Sequence, residues 1–148
     1  MAIDTMLVAV GPRDHERVAR LAEETVDIAV PTGARVVLVR VFSQEGYEKT
    51  LSALHFDDPT TDDVARRDAT IRDLEEVLDG AGVEWEVRGR IGDPGDAVVE
   101  VAETVDADVV VVGGRDRSPT GKAVFGSVGQ QILLSAPCPV LYVRTGTE

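Results

Sequence analysis

The residues from Gly113 to Ser127 gather the groups in this chain best suited to holding an anion. They lie inside "VVVVGGRDRSPTGKAVFGSVGQQILLSAPCPVLYVR", residues 109–144, where four valines run into two glycines. Arg115, Arg117 and Lys122 supply positive charge, and Ser118 and Thr120 supply hydroxyl donors. Gly126 and Ser127 then open an apolar-periodic segment that reads as a helix. A helix start offers free backbone N–H groups and the positive end of the helix dipole, and Ser127 is a natural cap. Phosphate is the simplest ligand for such a place. The loop is not a Walker A motif, because Asp116 stands where its first glycine belongs and Ala123 where its magnesium-binding hydroxyl belongs. A G-x-G-x-x-G dinucleotide fingerprint is absent as well.

Other chemistry-bearing residues are isolated. His15 and His55 have no cysteine or acid at metal-ligand spacing, so no metal site is expected, and His15 is read as a solvated surface residue. Cys138, the one cysteine, stands between Pro137 and Pro139 before an apolar run and is read as a packed thiol. "GDPGD", residues 92–96, reads as a turn and helix start. No catalytic residue is assigned, since no Ser-His-Asp set or paired acid and base accompanies the loop. Slow hydrolysis is the most that an enzymatic reading supports.

These groups need elements to position them. Apolar runs predict strands over Met6–Val10, Arg35–Val41, Glu84–Arg90, Asp108–Val112 and Pro139–Val143. The first, fourth and fifth are nearly continuous aliphatic, as in strands covered on both faces. The third alternates apolar and charged residues, which suits an edge. Helical spacing predicts helices over Asp14–Ala29, stopped by Pro31 and Gly33, and over Thr61–Asp79, Gly95–Val105 and Ser127–Ser135. Ser43–Thr60 is expected to be an irregular, solvated link. Alternating strand and helix implies a single α/β domain, residues 1–148, with a doubly wound sheet of five mainly parallel strands in the order 3-2-1-4-5. Ligands of such sheets sit beyond the carboxyl ends of the strands where the order reverses. That point lies between strands one and four, whose exits are the glycine-bearing "AVGPRD" and "VVGGRD". A phosphoryl-accepting receiver of this strand order is excluded, because strand one ends in Gly11–Pro12 without the required acids.

The formal net charge is −12, which disfavours general nucleic-acid binding. Lysines are limited to Lys49 and Lys122, and aspartates outnumber glutamates. That pattern fits a halophilic protein whose self-repulsion is screened by concentrated salt. No apolar run approaches the roughly 20 residues of a membrane span, and "MAIDTMLVAVG" has no signal-peptide pattern. A cytoplasmic location is the expectation.

The loop and its flanks resemble a known family. "VVGGRDRSPTGKAVFGSVGQQILLSAPCPVLYV" is similar to the carboxyl-terminal signature of the universal stress protein domain, G-x2-G-x9-G-[ST], with its following helix and "PCPVLVV" strand. "RGRIGDPGDAVVEVAETVDADVVVVGG" and "MLVAVGPRDHERVARLAEETVDIA" are similar to its middle stretch and its opening strand and helix. The resemblance implies an adenine nucleotide alpha hydrolase-like fold, a bound ATP or AMP, with or without magnesium, and a homodimer. It places the nucleotide beside Val10 and Gly11, sets the adenine at Val41, and lays the phosphates along Gly113, Arg115, Asp116, Arg117, Gly126, Ser127 and Val128. Two positions depart from the family pattern. Asp116 replaces its second motif glycine, and Gly11 replaces a frequent aspartate. Asp116 could pair with a neighbouring arginine, hold a divalent ion or repel ATP. The alternative reading is therefore a family member that binds no nucleotide and serves as a dimeric adaptor.

Strand five, Pro139–Val143, falls at the sheet edge in this order, and its apolar run predicts antiparallel pairing with a second copy. The acidic surface carries a separate expectation. The melting temperature should rise as potassium chloride is raised into the molar range, and a flat or falling curve would remove the halophilic reading.

Overall fold

Valine-rich runs set the sheet. In the computed structural model, which describes residues 2–11, 14–54, 60–115 and 126–145, five parallel strands lie in the order β3-β2-β1-β4-β5. They are β1 (Thr5–Val10), β2 (Arg35–Phe42), β3 (Trp85–Ile91), β4 (Val109–Arg115) and β5 (Val140–Thr145). The central strand β1 pairs with β2 from Thr5↔Arg35 to Val10↔Arg40, and with β4 from Met6↔Val109 to Ala9↔Val112. Helices cover both faces: α1 (Val18–Thr32), α2 (Gln44–Leu54), α3 (Thr61–Ala65), α4 (Ala69–Gly80), α5 (Pro94–Thr104) and α6 (Ser127–Ser135).

Strand alternation sorts the core into two layers. Met6, Val8, Val36 and Leu38 pack with Leu21 of α1 and with Ile71, Leu74 and Leu78 of α4. Leu7, Val37, Val39, Val110 and Val112 pack with Val98 and Val101 of α5 and Ile132 of α6. No helix among the described residues is long and apolar enough to cross a membrane.

Several boundaries differ from the sequence expectation. The link after β2 is not irregular throughout, because residues 44–54 form α2. Ser43 Oγ accepts the Gly46 N–H (3.0 Å), and the buried Tyr47 meets Phe42 edge to face at 5.7 Å between ring centroids. The expected helix Thr61–Asp79 is two helices. Asp68 stops the first by taking an extended conformation and accepting the N–H groups of Thr70 (3.1 Å) and Ile71 (3.2 Å) as the cap of α4. Helix α1 runs through Pro31 to Thr32, whose hydroxyl donates to the Ile28 carbonyl (2.6 Å), before Gly33 turns at φ 71°. Strand β4 continues past Val112, so Gly113 and Gly114 are strand residues paired with Val143 and Arg144.

The two sheet edges are finished differently. Helix α3 lies along β3, where Asp62 Oδ1 accepts the Gly89 N–H (2.7 Å) and so satisfies an edge donor. β5 packs on β4 and α1, and Val143 is buried in the α1/α4 layer with Leu141 half-buried beside it. The strand's apolar side chains are thus largely used within the molecule. What β5 offers outward is its backbone edge.

Gly89 reports how closely α3 sits. A Cβ there would overlap the Thr61 carbonyl, which is backbone and cannot rotate away. Gly89→Ala is expected to lower the unfolding free energy by about 1–3 kcal/mol, read from urea titration. An unchanged midpoint would mean that α3 shifts without cost.

Candidate functional site

Because β1 and β4 are parallel neighbours whose connections leave in opposite directions, their carboxyl ends frame the crevice of a doubly wound sheet. Val10 ends β1 and is buried, and Gly11 follows it. A short 3-10 turn, Asp14–Arg17, leads from there into α1. Asp14 folds back on the strand exit. Its Oδ2 accepts the Gly11 N–H at 2.7 Å, while its own N–H donates to the Gly11 carbonyl at 3.1 Å. The Asp14 carboxylate also faces β4, with Oδ1 3.4 Å from the place a Cβ on Gly113 would take.

Asp14 thus returns a carboxylate to the exit of β1 although Gly11 stands at the position expected to carry one. It was missed because helical spacing made it a simple helix start. The G-P-x-D order, with an aspartate three residues after the first glycine beyond the strand, is the signal for such a turn.

Four charges gather at this edge. Arg17 Nε lies 3.3 Å from Asp14 Oδ1, and Arg40 Nε lies 3.3 Å from Asp68 Oδ1. Arg40 stands beside Val10 in the ladder, stacks over Phe42 at 4.6 Å and donates from Nη1 to the Val41 carbonyl at 2.5 Å. Burial pushes the Asp14 carboxyl above the ordinary aspartate range, opposed by the Gly11 N–H and by the charges of Arg17 and Arg40. Neither Arg17, Arg40 nor Asp68 was a candidate from sequence, since a charged residue in a strand or helix start reads as solvated.

The expected site residues fall into three groups. Val10, Gly11 and Gly113 come together around Asp14. Val41 is buried near the end of β2, its side chain in the α5/α6 layer and its carbonyl taken by Arg40. Arg115 ends β4, and Asp116 and Arg117 lie outside the described residues, as do Ser118, Thr120 and Lys122. Gly126, Ser127 and Val128 form the exposed start of α6, with one correction. Gly126 is the cap residue and Ser127 the first helical residue, with no side-chain cap. The Gly126 carbonyl already accepts the Gln130 N–H (2.9 Å), which shifts the helix start one residue earlier than Ser127 capping requires. The first-turn N–H groups of α6 therefore have no partner within the helix.

The glycine pair of β4 has its own packing role. A Cβ on Gly113 would stand 3.0 Å from Arg17 Cδ and 3.2 Å from Leu21 Cδ2, and one on Gly114 would overlap the Tyr142 hydroxyl. The Tyr142 ring also reaches Gly129, 3.6 Å from its would-be Cβ, and so joins the first turn of α6 to the end of β4. On the opposite side of α6, Gln131 lies where a Cβ on Gly95 would go and donates to Asp96 Oδ1 at 2.5 Å. Among the described residues no cluster of three or more His, Cys, Asp or Glu could hold a metal. Cys138 is half-buried against the α5/α6 layer, and burial pushes its thiol up, so it is not an activated nucleophile.

The model of the universal stress protein family matches residues 2–144. The chain belongs to that family. A universal stress protein of Mycolicibacterium smegmatis is 38% identical over 79 residues, which are 53% of this chain and 61% of that relative. The match therefore spans less than two thirds of that relative's length. Among solved structures, a universal stress protein from Archaeoglobus fulgidus superposes with a TM-score of 0.72 at 25% identity, covering 97% of this chain and 100% of that one. A universal stress protein from the same organism in complex with dAMP superposes with a TM-score of 0.68 at 22% identity, over 97% and 100% of the two chains. The strand order and the two helical layers are thus those of the family.

Asp14 gives the site a pH signature. Its folded carboxyl holds a proton more tightly than the unfolded one, so folding is favoured at low pH through this group and that favour is lost as pH rises through the raised folded value. Asp14→Asn keeps an acceptor for the Gly11 N–H and removes the titration. The stability of the unmodified protein measured against the variant is expected to fall as pH rises above the ordinary aspartate value of 3.8. A difference that rises instead would mean that the Gly11 bond and Arg17 outweigh burial.

Proposed function

We propose that this protein is a cytoplasmic universal stress module, one domain over residues 1–148, that binds ATP or AMP at the switch point and acts as a homodimer. The observation that carries the reading is that the β1 and β4 exits lie side by side around Asp14 at the carboxyl ends of the strands, the end from which α6 starts without a side-chain cap. The exits bring polar backbone and the Asp14 carboxylate, which can accept a sugar hydroxyl. The first-turn N–H groups of α6 suit phosphate. Val10, Gly11, Val41, Gly113, Arg115, Asp116, Arg117, Gly126, Ser127 and Val128 are the residues proposed to surround the nucleotide. Magnesium would enter only with a triphosphate, through Asp116. The dAMP complex of the Archaeoglobus fulgidus protein belongs to the same fold, and the reading for this chain rests on its own motif and family membership.

A specific observation favours the second reading, a dimeric adaptor without nucleotide. Arg17 and Tyr142 already occupy the space that Gly113 and Gly114 leave open, and Asp14 brings a carboxylate into the crevice. Denaturing protein purified in high-salt buffer and chromatographing the supernatant separates the two. Released adenine nucleotide, or calorimetric binding of added AMP or ATP, supports the first. Neither release nor binding leaves the adaptor.

The homodimer is proposed through the outer edge of β5. Pro139 and Leu141 bracket Val110, whose N–H donates to the Pro139 carbonyl (3.0 Å), so by parallel-ladder geometry the Val140 N–H faces away from β4. Val140→Pro removes that outward donor without removing a bond to β4. It is expected to convert a dimer measured by light scattering into a folded monomer. A monomeric unmodified protein, or a variant that remains dimeric, would place the contact elsewhere.

A further inference from the structure

We infer that Arg17 is a phosphate-binding residue of the switch point, and that it gives the site its preference for a phosphorylated ligand over the uncharged nucleoside. The inference rests on the nucleotide reading above and adds a residue to it from the α1 side of the sheet.

Arg17 closes the 3-10 turn between β1 and α1, yet its stem reaches across to the exit of β4, where Cδ lies 3.0 Å from the Cβ position of Gly113. It therefore joins the two connections between which a ligand of this fold must sit. Its side chain is 13% exposed, and its one ion pair among the described residues is made through Nε, to Asp14 Oδ1 at 3.3 Å. A guanidinium carries five N–H donors, and the two terminal nitrogens form a fork that fits two oxygens of a phosphate. Among the described residues neither terminal nitrogen of Arg17 has a hydrogen-bond or ion-pair partner.

The neighbouring arginine shows the contrast. Arg40 is committed through Nε to Asp68, through Nη1 to the Val41 carbonyl and through its face to Phe42, so both an inner and a terminal nitrogen have structural partners. Arg17 is anchored at Nε, with Asp14 in turn fixed by the Gly11 N–H. One side of its head is held, and among the described residues the other side meets no partner. A local cation is also what the global electrostatics require, since a chain of net charge −12 repels an anion at long range. The pair also orders the ligand: Asp14 accepts hydroxyl protons and repels phosphate, while Arg17 does the reverse.

Calorimetric titration of adenosine and of AMP into the unmodified protein, Arg17→Met and Arg17→Lys tests the inference. Methionine preserves most of the stem that packs on Gly113 and removes the head. The unmodified protein is expected to prefer AMP to adenosine. Arg17→Met should weaken AMP by roughly 10–100-fold more than adenosine, the range for hydrogen bonds to a charged group, any loss for adenosine reporting only the unpairing of Asp14. Arg17→Lys should fall between, because a point charge replaces the fork. If the methionine variant does not fold by circular dichroism, the lysine variant decides, with a several-fold loss confined to AMP expected. Equal losses for both ligands, no loss for either, or an unmodified protein that binds adenosine as well as AMP would overturn the role of Arg17 alone. An unmodified protein that binds neither ligand would overturn the nucleotide reading and this inference together.

Discussion

The structure depends on β1 being paired on both sides at once. Its parallel ladders to β2 and to β4 bury Met6, Leu7 and Val8 completely, and the chain must cross both faces of the sheet to build them. The β1-to-β2 connection returns over the α1/α4 layer, and the connections that reach β4 and β5 return over the α5/α6 layer. Splitting the crossovers in this way opens the crevice at the carboxyl end of β1. No local motif creates it. Gly11 and Gly113, 102 residues apart in sequence, meet there because the valines of two distant runs share a ladder.

Charge then fixes what burial only brings near. Asp14 with Arg17 ties the β1 exit and α1 start to β4, and Arg40 with Asp68 ties the end of β2 to the start of α4. Buried ion pairs add little net stability, because desolvation offsets attraction, but losing one partner strands the other charge. Such pairs therefore hold elements in one relative position more than they strengthen the fold. Asp68 illustrates the economy: one oxygen caps α4 while the other meets Arg40.

How much of this the sequence revealed follows from the range of the interactions. The five strands, their order and both edges were legible, because a strand covered on two faces needs a continuous apolar run and an edge strand shows alternation. Helix α2 was not, since its stripe is weak and, among its residues whose burial is described, only Tyr47 is buried, against the end of β2. The break at Asp68 was hidden inside an apolar period that continues on both sides of it. At the site, the glycines and the start of α6 were legible as motif residues, whereas Asp14, Arg17 and Arg40 acquire meaning only when β1, β2 and β4 lie side by side. Ser127 was misplaced as a cap because serine ranks beside the best caps, while Gly126 fits the same extended conformation.

The glycines of β4 sharpen the relation between packing and binding. Neither Gly113 nor Gly114 needs left-handed backbone, since positive φ occurs among the described residues at Gly33, Gly82, Gly92 and Asp106 instead. Their missing side chains serve close approach, and the approaching groups are Arg17 from the α1 side and Tyr142 from the β5 side. A bound ligand must therefore share these places with side chains already there. Arg17 can share its place, because its stem fills the space above Gly113 while its head remains a donor. Tyr142 has the opposite character, since its hydroxyl is the part pressed against Gly114 and its ring touches the first turn of α6. Tyr142 also belongs to the edge strand. Any strand added to β5 would act on the backbone that carries this ring, and through it on the start of α6.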